Sequence, residues 1–341
     1  MNIVAPISSV TELEMLLECG ADELYCGVST PEWEEHFGGT WWMNRRSPQG
    51  ANLTSWEDVR AIVTQAHDAK TQVHVALNSP FYTQGSLGYV TRLAERLSGD
   101  VGVDSLIVSD LALLMNLREE GLAADLHLSS LGACTNSRTA TFYGTLGIKR
   151  IILPRQLRIP EIEAIVTASK GKMEFEVFAV NDGCYFEEGF CQTSHAVGSP
   201  FCLTDWEVRV HRSNGTAIPS DKMARHREDL REYLWYQNNC GSSIEESGVP
   251  NGPCSLCWFG HFRDWGVASV KIVGREASFY RKMRSLQMVK AVMDEVKRGA
   301  SREAVADIAR SIRGTPDYCN KGYMCYFGGQ AVIPAKEDVL E

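Results

Sequence analysis

Short apolar runs recur along the chain. Each is followed by a polar turn and then by a segment whose apolar residues fall three or four apart. The runs cover residues 2–5, 23–28, 72–77, 105–108, 126–128, 150–153, 175–180 and 269–273. Bounded apolar runs of this length predict buried strands, and the period near 3.6 between them predicts helices. The spacing predicts a helix from residue 56 to 69, with Val59, Ile62 and Val63 on one face, and others over 90–97 and 160–166. Pro160 suits a first helical turn. Phe279, Met283, Leu286, Val289, Val292 and Val296 form one apolar stripe. Thr54 and Glu57 have the spacing of a capping box. Eight strands alternating with helices predict an α/β fold, a TIM-like (β/α)8 barrel. An open doubly wound sheet is the alternative, but no Gly-rich dinucleotide fingerprint follows the first strand.

The rhythm breaks once, between the seventh strand and the eighth. The chain is therefore divided into residues 1–180, the first seven β/α units, and 181–266, a long insertion. Residues 267–300 carry the last strand and helix, and 301–341 form a C-terminal extension. Loops after barrel strands build the catalytic mouth. An insertion after strand seven is expected there, and the tail is expected to fold back onto the same region.

Composition sharpens the function. Of eleven cysteines, Cys19, Cys26 and Cys134 lie in the first half, and the other eight lie beyond residue 180. Cys184, Cys191, Cys202, Cys240, Cys254 and Cys257 fall in the insertion, and Cys319 and Cys325 in the tail. Eight thiols are enough for two four-thiolate sites, or for one with spares. Soft thiolates select iron–sulfur clusters, zinc or copper(I). No signal-like amino terminus and no apolar stretch near 18 residues is present, so a cytoplasmic protein without membrane insertion is expected. Clustered cysteines in that compartment point to metal or redox chemistry rather than disulfides. The net charge of −9 (34 Lys+Arg, 43 Asp+Glu) weighs against a nucleic-acid partner unless basic residues gather on one face.

Several motifs together resemble peptidase family U32 over nearly the whole chain. Gly20-Ala21-Asp22-Glu23-Leu24-Tyr25-Cys26-Gly27 is similar to the family's opening GADxxYxG strand. Leu77-Asn78, Gly102-Val103-Asp104 through Ser109-Asp110, Thr135-Asn136-Ser137 and Ile152-Leu153-Pro154-Arg155 follow in matching order. The most specific match is Glu176-Val177-Phe178 followed by Cys184-x6-Cys191. Lys271-Ile272-Val273-Gly274-Arg275 looks like the family's KIEGR strand, with Val273 where Glu is usual. The resemblance implies a [4Fe–4S] cluster on four cysteines and hydroxylation of an aromatic or heteroaromatic substrate without molecular oxygen. Family substrates include a ubiquinone precursor and pyrimidines of transfer and ribosomal RNA, with prephenate as the proposed oxygen source. Other members are described as collagenase-like proteases. Cys184, Cys191 and Cys202 match the first three cluster ligands, and Cys240 and Cys254 both remain open as the fourth. Cys257, Cys319 and Cys325 have no assigned counterpart, and Cys254-x2-Cys257 with Cys319-x5-Cys325 would suit zinc or a second cluster.

The strand ends supply the remaining candidates. Glu176, Lys271 and Arg275 are taken as catalytic, with Glu176 as the expected ion partner of Lys271. Asn78, Asp110, Ser129, Arg155, Arg45 and Trp42 are taken as substrate-binding. Arg155 and Arg275 could hold a carboxylate oxygen donor bidentately. Arg45 and Arg46 beside Trp41-Trp42 could stack a flat ring. The leading expectation is an iron–sulfur hydroxylase of an aromatic small molecule. The alternatives are a tRNA or rRNA base hydroxylase, a cluster-bearing non-catalytic subunit of a homologous partner, and a peptidase. No His-Glu-x-x-His or Gly-x-Ser-x-Gly motif supports the last.

Overall fold

The computed structural model describes residues 1–38, 42–46, 48–184, 187–191, 211–238, 244, 248–322 and 324–327. Its strands are β1 (Asn2–Pro6), β2 (Glu23–Gly27), β3 (Gln72–Leu77), β4 (Ser105–Val108), β5 (Asp125–Leu128), β6 (Ile148–Ile152), β7 (Glu174–Val180) and β8 (Ser269–Ile272). All pair in parallel in chain order, and β8 closes onto β1, where Val4 stands opposite both Glu23 and Lys271. The expected (β/α)8 barrel is present. Each strand is buried on both faces, which is why the runs read as continuous rather than alternating.

Outward side chains such as Ile3, Leu24, Val73, Val75 and Leu106 meet the helices in one large apolar shell. The helix Trp56–Asp68 presents Val59, Ile62, Val63 and Ala66 to it. Ser55, not Thr54, caps that helix, accepting from Asp58 N at 3.2 Å. The helix begins one residue later than the capping-box spacing implies.

Inward side chains form separate layers. Near the bottom lie Glu23, His74, Ser105, His127, Arg150, Glu176 and Ser269, all buried. Arg150 forks onto both oxygens of Glu23 and reaches Glu174 at 2.9 Å and Glu176 at 3.4 Å. His74 Nε2 stands 2.8 Å from Glu23 Oε2, and Ser105 Oγ bridges His74 and His127 at 2.7 and 3.1 Å. Burial opposes ionisation of Glu23, but hydrogen bonds from His74 and Arg150 more than offset it and hold its pKa well below the ordinary value. Above this layer Val4, Tyr25, Ala76, Ile107, Ile152, Phe178 and Val273 form an apolar ring. The barrel interior is therefore a packed polar layer under an apolar floor.

The wall resumes before residue 267. The turn Leu256–Trp258 and helix Phe259–Trp265 bury Leu256, Phe259, Phe262 and Trp265 in the outer shell. The helix Phe279–Lys297 carries the predicted stripe, with Leu286, Val289, Val292 and Val296 buried, although Phe279 is exposed. Residues Arg302–Arg313 form a further helix burying Val305, Ala309 and Arg313. The extension thus begins as a packed helix. No helix among the described residues is long and apolar enough to cross a membrane.

Removing one member of a buried charge network strands the others without compensation. Arg150→Met should cost about 3–5 kcal/mol of unfolding free energy, read from urea denaturation. A loss well below that would mean Glu23 and Glu176 do not depend on the guanidinium.

Candidate functional site

The polar mouth sits directly above the apolar ring. A pocket of about 520 Å³ is lined by Tyr25, Asn78, Ser129, Arg155, Phe178, Lys271 and Arg275, with Arg45 and Arg46 from the loop after β2. Seven of these come from strands or their ends because interior positions recur every second residue. Glu23, Tyr25 and Gly27 climb β2 in this way, and His74, Ala76 and Asn78 climb β3 and its exit.

Glu188 organises the rim. It lies between Cys184 and Cys191, in the short helical turn Glu188–Phe190. Its carboxylate accepts from Arg155 N at 2.9 Å and Ser130 Oγ at 3.0 Å, and pairs with the guanidinium groups of Arg155 and Arg45. Burial opposes its ionisation, but Arg155 and Arg45 more than offset this and lower its pKa. The cysteine loop is thereby pinned to the ends of β5 and β6. After β7 the chain passes through two consecutive left-handed residues, Asn181 (φ 72°) and Asp182 (φ 40°). Asn181 Nδ2 donates to Ser285 Oγ at 2.9 Å, and Asp182 holds Arg46 at 2.6 Å. Non-glycine residues persist there only when their surroundings hold them.

Arg275 is buried, 4% exposed, yet makes no ion pair among the described residues. Its guanidinium donates to Asn44 Oδ1 at 2.8 Å and Asn52 Oδ1 at 3.2 Å. Burial pulls its pKa down to about 10. It passes over Gly27, where any Cβ would overlap the guanidinium and Asn52 Oδ1. Arg155 stacks its guanidinium 3.5 Å over the Phe178 ring, and its Nε is buried with no partner among the described residues. Lys271 Nζ lies 2.8 Å from Glu176 Oε1, as expected, and 3.8 Å from the centre of the Tyr25 ring. Burial lowers the Lys271 pKa despite Glu176 beside it.

The expected residues separate into groups. Asn78, Ser129, Arg155, Arg45, Lys271 and Arg275 are brought together at the pocket. Glu176 lies one layer below, under Lys271, and also accepts from Ser269 Oγ at 2.9 Å. Asp110 is occupied locally, capping a helix through Leu113 N at 2.7 Å and accepting from Tyr82 N at 3.2 Å. Trp42 is half-buried and does not line the pocket, and Trp41 lies outside the described residues. Sequence reasoning missed Glu188, Asp182, Asn44 and Asn52. Only Glu188 carried a signal, as an acid between two cysteines.

Cys184 and Cys191 are half-buried, and both lie within electrostatic reach of Arg45. Cysteine sulfur is a soft ligand suited to iron–sulfur clusters or zinc, so the donor type of these two fits such a metal. Cys202 and Cys240 lie outside the described residues. Cys254, Cys257, Cys319 and Cys325 gather behind the mouth, away from Arg45. Among the described residues no three His, Cys, Asp or Glu side chains already stand in a set that could hold a metal ion.

A family model described as peptidase family U32 matches residues 8–333. "tRNA hydroxylation protein P" of Escherichia coli (strain K12) is 24% identical over 331 residues, covering 87% of this chain and 69% of that protein. "tRNA hydroxylation protein P2" of Bacillus subtilis (strain 168) is 28% identical over 223 residues, covering 64% of this chain and 67% of that protein. "23S rRNA 5-hydroxycytidine C2501 synthase" of Escherichia coli (strain K12) is 26% identical over 271 residues, covering 77% of this chain and 36% of that protein.

Two outcomes follow from the geometry. Asn44 Oδ1 and Asn52 Oδ1 keep other donors, Arg46 N at 3.0 Å and Asn44 Nδ2 at 2.8 Å. Arg275→Met therefore orphans neither acceptor and removes an uncompensated buried charge. Its unfolding free energy in urea should stay within about 1 kcal/mol of the parent or exceed it. A loss of several kcal/mol would show that the guanidinium is structural. Gly27→Ala overpacks the same spot and should cost about 1–3 kcal/mol in the same measurement.

Proposed function

Because the chain belongs to peptidase family U32, we propose that its barrel mouth hydroxylates an aromatic or heteroaromatic ring without molecular oxygen, as an iron–sulfur enzyme. The observation that carries this is the surplus of buried positive charge beside an aromatic wall. Arg45 and Arg155 share one carboxylate, Glu188, and among the described residues Arg275 makes no ion pair and donates to two neutral amides. A buried guanidinium without a counter-charge costs stability. That cost is recovered when an anion binds, which suits a carboxylate-bearing oxygen donor. Tyr25 and Phe178 in the same pocket offer flat faces for a ring.

Cys184 and Cys191 would supply two ligands of a [4Fe–4S] cluster, with Cys202 and Cys240 or Cys254 completing it. Such a cluster, when bound, supplies one-electron redox chemistry at the rim. The chain's own residues do the rest. Arg275 and Arg155, whose Nε has no partner among the described residues, grip the anion. Lys271 donates a hydrogen bond from Nζ to an oxygen in the pocket, and Glu176 holds the amine in place from below. The apolar ring below keeps water from entering underneath.

An aromatic small molecule suits the small pocket with its aromatic wall and the acidic chain. The second reading, a base of tRNA or rRNA, is supported by the names of the relatives. Mass spectrometry separates them. Cells carrying the protein under argon should contain a ring product heavier by one oxygen, absent with Arg275→Met, either among small phenols and quinones or among RNA nucleosides. If neither fraction gains oxygen, hydroxylation is ruled out.

A further inference from the structure

Behind the mouth wall, two distant stretches of chain are stitched together around cysteines. Cys254 and Cys325 are register partners in a short parallel bridge. Cys254 N donates to Met324 O at 3.1 Å, and Tyr326 N donates to Cys254 O at 3.2 Å. Parallel register partners project to the same side of the ladder. Cys257 follows Cys254 by one helical turn, and Cys319 sits in the helix Pro316–Lys321 leading into Cys325. Each of the four thiols lies within electrostatic reach of the other three.

Burial raises the pKa of Cys254, Cys257 and Cys325, so these thiols keep their protons until a metal displaces them, and backbone N–H groups are aimed at two of the sulfurs. Leu256 N–H points at Cys254 Sγ, and Phe327 N–H donates to Cys325 Sγ at 3.3 Å. In both loops the donor is the second residue after the cysteine. Hydrogen bonds of this kind stabilise the charged form of the acceptor. Arg313 lies close to Cys254, and Arg310 to Cys257. Arg313, fully buried, also staples the two stretches. It donates to Pro250 O at 2.8 Å and Gly252 O at 2.5 Å on one side, and to Met324 Sδ at 2.9 Å on the other.

We propose that Cys254, Cys257, Cys319 and Cys325 form a second four-thiolate centre for a soft metal, iron–sulfur or zinc, separate from the cysteine loop after β7, whose own fourth ligand is then Cys240. The backbone has gathered the ligands. The sulfurs are not closed to metal-holding spacing, so binding has to rotate the side chains and expel their protons. Arg313 is a positioning residue for this centre. Tyr326, next to Cys325 in the chain, packs its ring 6.2 Å from Phe178 in the mouth, so the centre sits directly behind the pocket.

The test isolates this set from the other and does not depend on the hydroxylase reading. Cobalt(II) is added under argon to metal-free full-length protein carrying Cys184→Ser and Cys191→Ser. A strong thiolate-to-cobalt absorption at one equivalent is expected, lost when Cys319→Ser or Cys325→Ser is added and retained with Cys134→Ser. Far-ultraviolet circular dichroism checks that each variant is folded. Metal analysis of the Cys184→Ser, Cys191→Ser protein as purified distinguishes the occupants. About four irons with sulfide, or about one zinc, supports the centre, provided Cys319→Ser removes it. No cobalt band in the folded double variant, or a band and metal content that survive Cys319→Ser and Cys325→Ser, overturns the proposal.

Discussion

The mouth of this barrel depends on one carboxylate. Glu188 is fully buried and receives a backbone amide, a hydroxyl and two guanidinium groups. These donors come from the ends of β5 and β6 and from the loop after β2. An ionised carboxylate survives burial only when its acceptor sites are filled by charged and oriented donors. Here they are, and the consequence is spatial. A loop carrying two cysteines is tied to the rim at its midpoint, and two arginines are held in place over the pocket. Loosening that one anchor would free the cysteines, Arg45 and Arg155 together.

Beneath the rim the interior is layered by charge. The lower layer is internally matched, with Arg150 against Glu23, Glu174 and Glu176, and Lys271 against Glu176. The rim is less closely matched, because among the described residues Arg275 makes no ion pair and donates to the Asn44 and Asn52 amides. Balanced charge below and unbalanced charge above have different physical meanings. The first rigidifies the barrel. The second is a cost that a bound anion would offset. Lys271 links the two layers, lining the pocket above and pairing with Glu176 below.

Much of this was legible from residue order. The eight strands were readable because a closed parallel barrel buries both faces, leaving short continuous apolar runs. Lys271 against Glu176 was readable because neighbouring strands carry charges at interior positions. Other features were not, for identifiable reasons. Asp110 ends a strand like a pocket residue, but it also precedes a helix, and capping claimed it. Asn44 and Asn52 lie in an irregular loop with no period to place them. The apolar face of Phe259, Phe262 and Trp265 was hidden inside a stretch that its cysteines marked as insertion. Ser55 took the cap one position past the predicted residue, a shift below what spacing resolves.

The parallel bridge between Cys254 and Cys325 has a consequence for biosynthesis. The barrel strands are complete by residue 272, but Tyr326 still has to dock against Phe178. Until the ribosome has delivered that segment, the closed barrel lacks one wall of its mouth. Maturation therefore runs in a set order, with the scaffold first and the wall last. A nascent chain halted after β8 would lack that wall and also the helices Phe279–Lys297 and Arg302–Arg313 that pack on the barrel.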